Sequence, residues 1–367
     1  MGTTGIGIIG CGAISGIYLK NLTRKFRTTR VVACADLDAD RAKAASAEYG
    51  VAKACTVDEL LRDPAVEIVL NLTIPRAHAE VSLAAIAAGK HVYSEKPLAV
   101  SRADGARVLE AARRAGRRLG GAPDTFLGGG VQTCRKIIDD GLIGRPIGAM
   151  AFMTTPGHER WHPAPEFYYQ PGGGPMLDMG PYYLTALVTL LGPIARVAGS
   201  AQTTYLERTI TSEPKRGGKI TVEVPTHVAG VLDFASGVVG MILTSFDVWG
   251  THLPSIEIYG TAGSLLVPDP NTFGGPIQLL RKNEKEWSGV PLAFGYAENC
   301  RGVGVADMAD AIAGGRPHRA AGEVMYHVLD VMEGLHDASA AGTYFMVTSS
   351  CERSAPLPPG LADGEIG

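Results

Sequence analysis

Long apolar runs are missing from this 367-residue chain. No stretch approaches the roughly 18 consecutive apolar residues of a membrane helix, which excludes a helical span. Charge of one sign is missing too. The 34 Lys and Arg stand against 37 Asp and Glu, a net charge of −3. The basic excess expected of a nucleic-acid or anionic-membrane partner is therefore not there. Cysteine is sparse. Cys11, Cys34, Cys55, Cys134, Cys300 and Cys351 lie far apart with no Cys-x-x-Cys pair. They read as separate reduced thiols, neither a disulfide frame nor a zinc site. The opening Met1-Gly2-Thr3-Thr4 has neither the basic start nor the apolar run of a signal peptide, and position 6 is Ile where a myristoylation signal needs Ser or Thr. These absences lead to the expectation of a cytoplasmic protein with no metal, no membrane and no nucleic acid.

What is there is a chain built to bury a core. Hydrophobic residues make up 46% and charged residues 19%, which excludes disorder, and the length suits two domains at roughly 150 residues each. The first third alternates short β-branched runs (6–9, 31–35, 68–72, 91–93) with Ala-rich stretches of helical character (14–26, 39–49, 57–62, 77–88, 102–115). Strand–helix alternation of this kind implies a parallel sheet with right-handed crossovers. From about residue 147 the pattern changes to longer, partly alternating runs (147–153, 194–204, 222–234, 238–248, 255–259), with a hairpin turn at Ala235-Ser236-Gly237. Helices are expected at 130–140, 179–191, 302–313 and 323–340. The predicted fold is an α/β chain. A doubly wound parallel sheet occupies 1–122. An α+β domain with a large, mostly antiparallel open sheet occupies 123–367, and its terminal 356–360 is loose or draped.

The first strand runs into Gly10-Cys11-Gly12-Ala13-Ile14-Ser15. Here the first glycine makes the tight turn and the second lets backbone approach a pyrophosphate seated on the helix N-terminus. The third position is Ser15 instead of Gly or Ala. A glycine-rich turn without a ligand is the competing reading, and the place of the motif in the first βα unit of an alternating chain argues against it. Asp36, followed by Leu37, closes the second strand, 24 residues past Gly12. A carboxylate there accepts from an adenine-ribose diol and repels a 2′-phosphate, favouring NAD over NADP. Otherwise Asp36 is a helix cap. A third cluster, Asn71-Leu72-Thr73-Ile74-Pro75-Arg76-Ala77-His78, leaves a strand end for a helix; Thr73 and Pro75 could lie against a dinucleotide, and His78 alone reads as a capping or surface residue.

Four segments in order, Gly10-Cys11-Gly12, Thr73-x-Pro75-x-x-His78, Ser94-Glu95-Lys96-Pro97 and Gly172-Gly173-Gly174-Pro175-Met176-Leu177-Asp178-Met179-Gly180, make the chain resemble the Gfo/Idh/MocA family of glucose–fructose oxidoreductase and inositol dehydrogenase. The resemblance spans nearly the whole chain. It implies a Rossmann domain, a second domain whose sheet makes homodimer or homotetramer contacts, and NAD(P)-dependent redox chemistry on a sugar or cyclitol. It implies that Glu95 contacts the cofactor and that Lys96 contacts the reacting hydroxyl, with Pro97 a plausible cis site. An ammonium beside a cationic nicotinamide is expected to have a lowered pKa.

Asp178 and Tyr182 fall four apart, one face of a helix, with Pro181 read as marking the helix start and Asp178 as its N-cap. Most similar enzymes carry a histidine at the position of Tyr182. The phenol, its pKa lowered by Lys96, is expected to serve as acid/base in its place, with Asp178 orienting it or the substrate; a packed core tyrosine is the alternative. The stretch 156–170 supplies His158, Arg160 and Trp161 as candidate sugar contacts, or else a subunit-contact loop. Asp124 is a weaker substrate candidate, and His327 reads as a helix-surface or interface residue. The expected activity is hydride transfer between a ring carbinol carbon and NAD. NAD-assisted glycoside cleavage comes second, and a non-catalytic NAD-binding protein third.

Overall fold

The computed structural model describes residues 2–367. The first unit contains β1 (Thr4–Ile9), α1 (Ser15–Arg24), β2 (Thr29–Ala35), α2 (Ala39–Tyr49), β3 (Lys53–Cys55), α3 (Val57–Arg62), β4 (Ile68–Asn71), α4 (His78–Ala87), β5 (His91–Ser94), α5 (Arg102–Arg114) and β6 (Leu119–Gly121). Its six strands are parallel, in the order β3-β2-β1-β4-β5-β6. Ile6, Ile8, Ile68, Leu70 and Val92 have no exposed surface, because helices cover both faces, and so each strand is a short continuous apolar run. The helix starts follow local chemistry. Asp38 caps α2, Thr56 and Glu59 form a capping box on α3, and Ser101 caps α5. The strand order reverses between β1 and β4, which opens a crevice at their carboxyl ends.

The second unit follows with α6 (Gly129–Asp139), β7 (Pro146–Thr154), α7 (Gly174–Leu191), β8 (Ile194–Gln202), β9 (Glu207–Thr209), β10 (Lys219–Thr221), β11 (His227–Phe234), β12 (Val239–Ser245), β13 (Ile256–Gly260), β14 (Gly263–Val267), β15 (Ile277–Arg281), β16 (Ser288–Val290), α8 (Val303–Gly314), α9 (Gly322–Ala341) and β17 (Phe345–Met346). Nine strands form one sheet in the order β16-β15-β14-β13-β7-β12-β11-β8-β17. All pairs are antiparallel except β7 with β12. Helices α7 and α9 cover one face. The other face is open and carries apolar side chains, among them Val239 and Met241, which are 53% and 45% exposed.

Three expectations change. The run 222–234 is not one strand: residues 219–221 pair with β9, and β11 begins only at His227, past Pro225, which has no N–H for a ladder. Helix α7 starts at Gly174, capped by Gly173, so Asp178 lies inside the helix and is not its N-cap; Pro181 lies within it as well. The tail is draped but not loose. Leu357 and Ile366 are each 2% exposed, and Asp363 pairs with Lys25, just past α1, at 2.9 Å. The turn at 235–237 forms as expected, and Lys96–Pro97 is cis.

The two units interlock. Residue Ala321, before α9, bridges to Gly120 of β6, and α9 packs on α5. Arg102, the first residue of α5, donates to Asp330 of α9, which has no exposed surface and also accepts from the backbone N–H groups of Thr348 (3.2 Å) and Ser349 (3.0 Å). Removing Asp330 strands the two backbone N–H groups it satisfies and takes from Arg102 one of its ion pairs, with Asp337 at 3.0 Å remaining. Asp330→Ala is expected to lower the unfolding free energy by about 3 kcal/mol in urea titration.

Candidate active site

The crevice begins at the β1–α1 turn. Gly10 has φ +100°, and a Cβ there would meet the Leu72 carbonyl oxygen at 2.6 Å, so the two strand-end loops touch through this glycine. A Cβ on Gly12 would meet nothing within 4 Å; that side of the turn is open space. The first turn of α1 has no side-chain cap, because its N-cap residue is Ile14, and Ser15 Oγ turns back to donate to the Gly12 carbonyl at 2.7 Å. Its free N–H groups form the anion cradle that a pyrophosphate needs. Asp36 is not the cap of α2. Its carboxylate accepts from the N–H of Cys11 (2.7 Å) and of Asp38 (2.9 Å), which fixes it beside the turn. Leu37 is fully exposed, and Ile14 and Ile74 are 36% and 48% exposed around the same crevice. Apolar side chains left bare around an anion cradle fit a dinucleotide.

Asn71 and His78 fasten this region from within. Asn71 Nδ2 donates to the His78 carbonyl (3.0 Å) and Ser82 Oγ (3.1 Å), and its Oδ1 accepts from Thr73 Oγ1 (2.6 Å). The His78 ring lies between the carbonyls of Pro97 (2.7 Å) and Thr73 (2.9 Å) and is fully buried, so it is neither a cap nor a surface residue. Burial pulls its pKa down, the two carbonyls opposing. Pro75 lines a cleft of 270 Å³ between the 74–76 loop and residues 164–172 of the second unit. Glu95 accepts from Tyr18 of α1 (2.8 Å) and from the Lys96 N–H (3.0 Å).

Lys96 follows β5 and crosses to α7. Its Nζ donates to Asp178 Oδ1 at 2.8 Å and to the Asp178 carbonyl at 2.7 Å, and lies 5.2 Å from the centre of the Tyr182 ring. Pro181 has no N–H for the helical ladder, and in the same turn the Asp178 carbonyl accepts from outside the helix. Burial alone would lower the Lys96 ammonium, but Asp178, Tyr182 and Glu95 outweigh it and hold it above its ordinary value. The expected lowering is thus corrected, and among the chain's own groups Lys96 is a cationic donor. Burial pushes the Asp178 carboxyl up, yet Lys96 and His158 prevail and hold it at about 2. Burial also lifts the Tyr182 phenol, with Lys96 and Arg301 pulling down and Glu95 pushing up; the net direction is upward, again contrary to expectation.

The second oxygen of Asp178 belongs to His158, whose Nε2 lies 3.1 Å away. Trp161 Nε1–H donates to His158 Nδ1 at 3.2 Å. An indole N–H only donates, so the His158 proton sits on Nε2 and points at Asp178. Phe246 and Tyr168 pack on the His158 ring, each with centroids 4.4 Å apart. Arg208, buried, pins the loop by donating to Glu159 (2.8 Å) and the Phe246 carbonyl (3.0 Å). The result is a fixed wall of aromatic faces beside the Lys96–Asp178 pair, with Trp161 59% exposed on it.

Not every candidate converges. Arg160 leaves this wall and lies over Trp249, 4.8 Å from its ring centre. Asp124 is 1% exposed and accepts from the N–H groups of Gly302 (2.8 Å) and Gly304 (3.1 Å), so it caps the start of α8 and does not face a substrate. His327 is not on a surface: fully buried, it accepts from the Ile194 N–H at 3.0 Å. Arg301, Tyr18 and Arg208 escaped the sequence reading because none stands in a motif; they come from a loop, a helix and a strand. Among the described residues no group of three His, Cys, Asp or Glu could hold a metal, and no helix is long and apolar enough to cross a membrane.

Comparison with known proteins matches residues 4–121 to the oxidoreductase family with an NAD-binding Rossmann fold, and residues 131–266 to the GFO/IDH/MocA C-terminal domain. The 1,5-anhydro-D-fructose reductase of Ensifer adhaerens is 32% identical over 293 residues, 78% of this chain and 82% of that protein. The chain belongs to the Gfo/Idh/MocA oxidoreductase family. Inositol 2-dehydrogenase of Salmonella paratyphi B is 39% identical over 145 residues, 38% of this chain and 43% of that enzyme. An NAD binding oxidoreductase from Klebsiella pneumoniae superposes with TM-score 0.83 at 25% identity, covering 95% of this chain and all of that one. Apo levoglucosan dehydrogenase shares the fold, with TM-score 0.83, 21% identity and cover of 96% and 100%. The protein is therefore an oxidoreductase of a family of NAD-binding sugar and cyclitol enzymes.

Its α8 cap carries a pH signature. Burial pushes the Asp124 carboxyl up to about 6, although the Gly304 and Gly302 N–H groups and Arg301 oppose it. An acid raised in the fold stabilises the folded state below its unfolded pKa, and that contribution disappears as pH rises towards 6. Asp124→Asn should flatten the fall in stability between about pH 4 and pH 6, worth at most about 3 kcal/mol, in denaturant titrations across that range.

Proposed function

We propose that the protein is an NAD-dependent dehydrogenase acting on a ring CH–OH carbon of a sugar, sugar derivative or cyclitol. The observation that carries this reading is the meeting of Lys96, Asp178 and Tyr182 at the carboxyl end of β5, next to the dinucleotide crevice. NAD, held by the Gly10–Ile14 turn, Asp36, Leu37, Thr73, Pro75 and Glu95, supplies the hydride acceptor and a positively charged ring. Asp36 beside the turn favours a free ribose diol over a 2′-phosphate.

The chain's own residues handle the proton and the orientation. Two of the three Lys96 N–H bonds go to Asp178, which leaves one for the substrate oxygen on the Tyr182 side. Tyr182 takes the hydroxyl proton in oxidation and returns it in reduction. Asp178 keeps Lys96 charged and aimed, and His158 holds the other carboxylate oxygen. Trp161, which packs on His158 as Tyr168 does, offers an aromatic face to the C–H side of a sugar ring. The six free thiols suit a reducing compartment such as the cytoplasm. The open apolar face of the nine-stranded sheet suits contact with a second copy, as homodimer or homotetramer.

A screen of sugars, cyclitols and glycosides with NAD and NADP, following NADH fluorescence and product release together, should find net NADH formation with NAD. Cleavage without NADH would point to the glycoside reading instead. On the substrate found, Lys96→Ala and Tyr182→Phe should each lose about 10²–10⁴-fold in kcat while calorimetry finds NAD affinity little changed. Full turnover in either variant removes that residue from the mechanism. Met241→Glu, on the open face, should shift the protein towards monomer in analytical ultracentrifugation; a monomeric parent protein would dismiss the interface.

A further inference from the structure

Resting on the dehydrogenase reading, a second question is what keeps Asp178 turned towards Lys96. The carboxylate is shared. Its Oδ1 accepts from Lys96 Nζ at 2.8 Å, and its Oδ2 lies 3.1 Å from His158 Nε2. Burial pushes this carboxyl up, but Lys96 and His158 hold it at about 2, so it acts as an acceptor only. A neutral imidazole has two tautomers, and one of them suits this contact. With the proton on Nε2 the ring donates to Asp178. With the proton on Nδ1, a nitrogen lone pair would face a carboxylate oxygen, and the repulsion would turn the carboxylate away from Lys96. The bond made at the other ring nitrogen selects between the two.

That bond comes from Trp161. Its Nε1–H donates to His158 Nδ1 at 3.2 Å, and an indole has no second polar atom to offer. A proton on Nδ1, in the other tautomer or in the imidazolium, would set two donors against each other there. The His158 ring is held in place for this contact. Tyr168 and Phe246 pack on it with centroids 4.4 Å away, and the His158 backbone N–H donates to the Tyr169 hydroxyl at 3.2 Å. His162, from the same loop, meets the Trp161 ring edge-on at 5.3 Å, and its own Nδ1 accepts from the Ala164 N–H at 3.0 Å. The polar atom of Trp161 is thus engaged inside the protein although the side chain is 59% exposed. One residue turns its ring outward, where a sugar stacks, and its N–H inward.

We propose that Trp161 is a positioning residue for Lys96: its indole N–H fixes the His158 tautomer, His158 fixes Asp178, and Asp178 aims the ammonium at the reacting oxygen. The chain Trp161–His158–Asp178–Lys96 runs from the aromatic face to the ammonium through hydrogen bonds of 3.2, 3.1 and 2.8 Å. A sugar ring seated on Trp161 holds the indole where it makes the first of them. Binding at the ring face thereby adds order at the reacting oxygen, which enters kcat and not only KM. The face and the N–H of Trp161 do different work, and substitution separates them.

The test reads Trp161 and Lys96 directly by NMR in the protein without cofactor, and then turnover. The Trp161 indole N–H is assigned among three tryptophans by its loss in Trp161→Phe, and the Lys96 ammonium by its loss in Lys96→Ala. In His158→Ala the indole N–H should exchange with solvent about tenfold faster than in the parent protein. The Lys96 signal should move in Trp161→Phe in the same direction as in His158→Ala. On the substrate found by the screen, Trp161→Phe keeps an aromatic face and should lose about tenfold in kcat with KM little changed. Trp161→Ala should raise KM as well. His158→Gln places an amide N–H where His158 Nε2 stood and should recover most of the kcat that His158→Ala loses, which packing alone would not do; it also stands in if His158→Ala does not fold. An unmoved Lys96 signal or full kcat in Trp161→Phe overturns the proposal. A parent protein that forms no NADH with any sugar or cyclitol removes the dehydrogenase reading instead, and the Lys96 signal in Trp161→Phe then decides the hold of Trp161 on Lys96 by itself.

Discussion

One carboxylate ties the molecule together at its working end. Asp178 receives Lys96 on one oxygen and His158 on the other. The first partner comes from the end of a parallel strand, the second from a loop of the other unit, and Asp178 itself from the middle of α7. A buried carboxylate is tolerated only when its oxygens are satisfied. Here both oxygens are, and the pair that satisfies them fixes the spacing between the dinucleotide crevice and the aromatic wall. The Lys96 ammonium stays charged for the same reason. A lysine buried beside its carboxylate is a fixed donor, and the dehydrogenase reading proposed here therefore gives proton exchange to the neighbouring phenol.

The family resemblance implies a histidine where this chain has that phenol. An imidazole titrates near neutrality without help, whereas a buried phenol is pushed the wrong way by its surroundings. Lys96, 5.2 Å from the centre of the Tyr182 ring, pulls the other way without reversing that rise.

Much of the fold was legible because its signals are local. Helices α2 and α3 begin and end where their caps and periodicity place them, and the glycine turn after β1 declares itself by position. The misreadings have local causes too. The three-residue strands β3 and β6 are too short for any pattern, and Pro225 hides inside an apolar run. Pro181 looked like a helix start because proline commonly is one, yet the helix passes through it. At the site, the ordered motifs located Lys96, Asp178 and Tyr182, and with them the crevice. They misled on Asp124, whose carboxylate serves a helix start 178 residues away, and on His327, buried under β8.

By itself the sequence determined the class of fold, the place of the dinucleotide turn and the residue types available for the chemistry, because each follows from neighbours within a few positions of the chain. Only the tertiary structure decided how these groups are charged and which of them meet. Lys96 and Asp178 are 82 residues apart and His158 lies on a third segment. Their titration depends on burial and on partners brought from elsewhere, and no spacing rule encodes either.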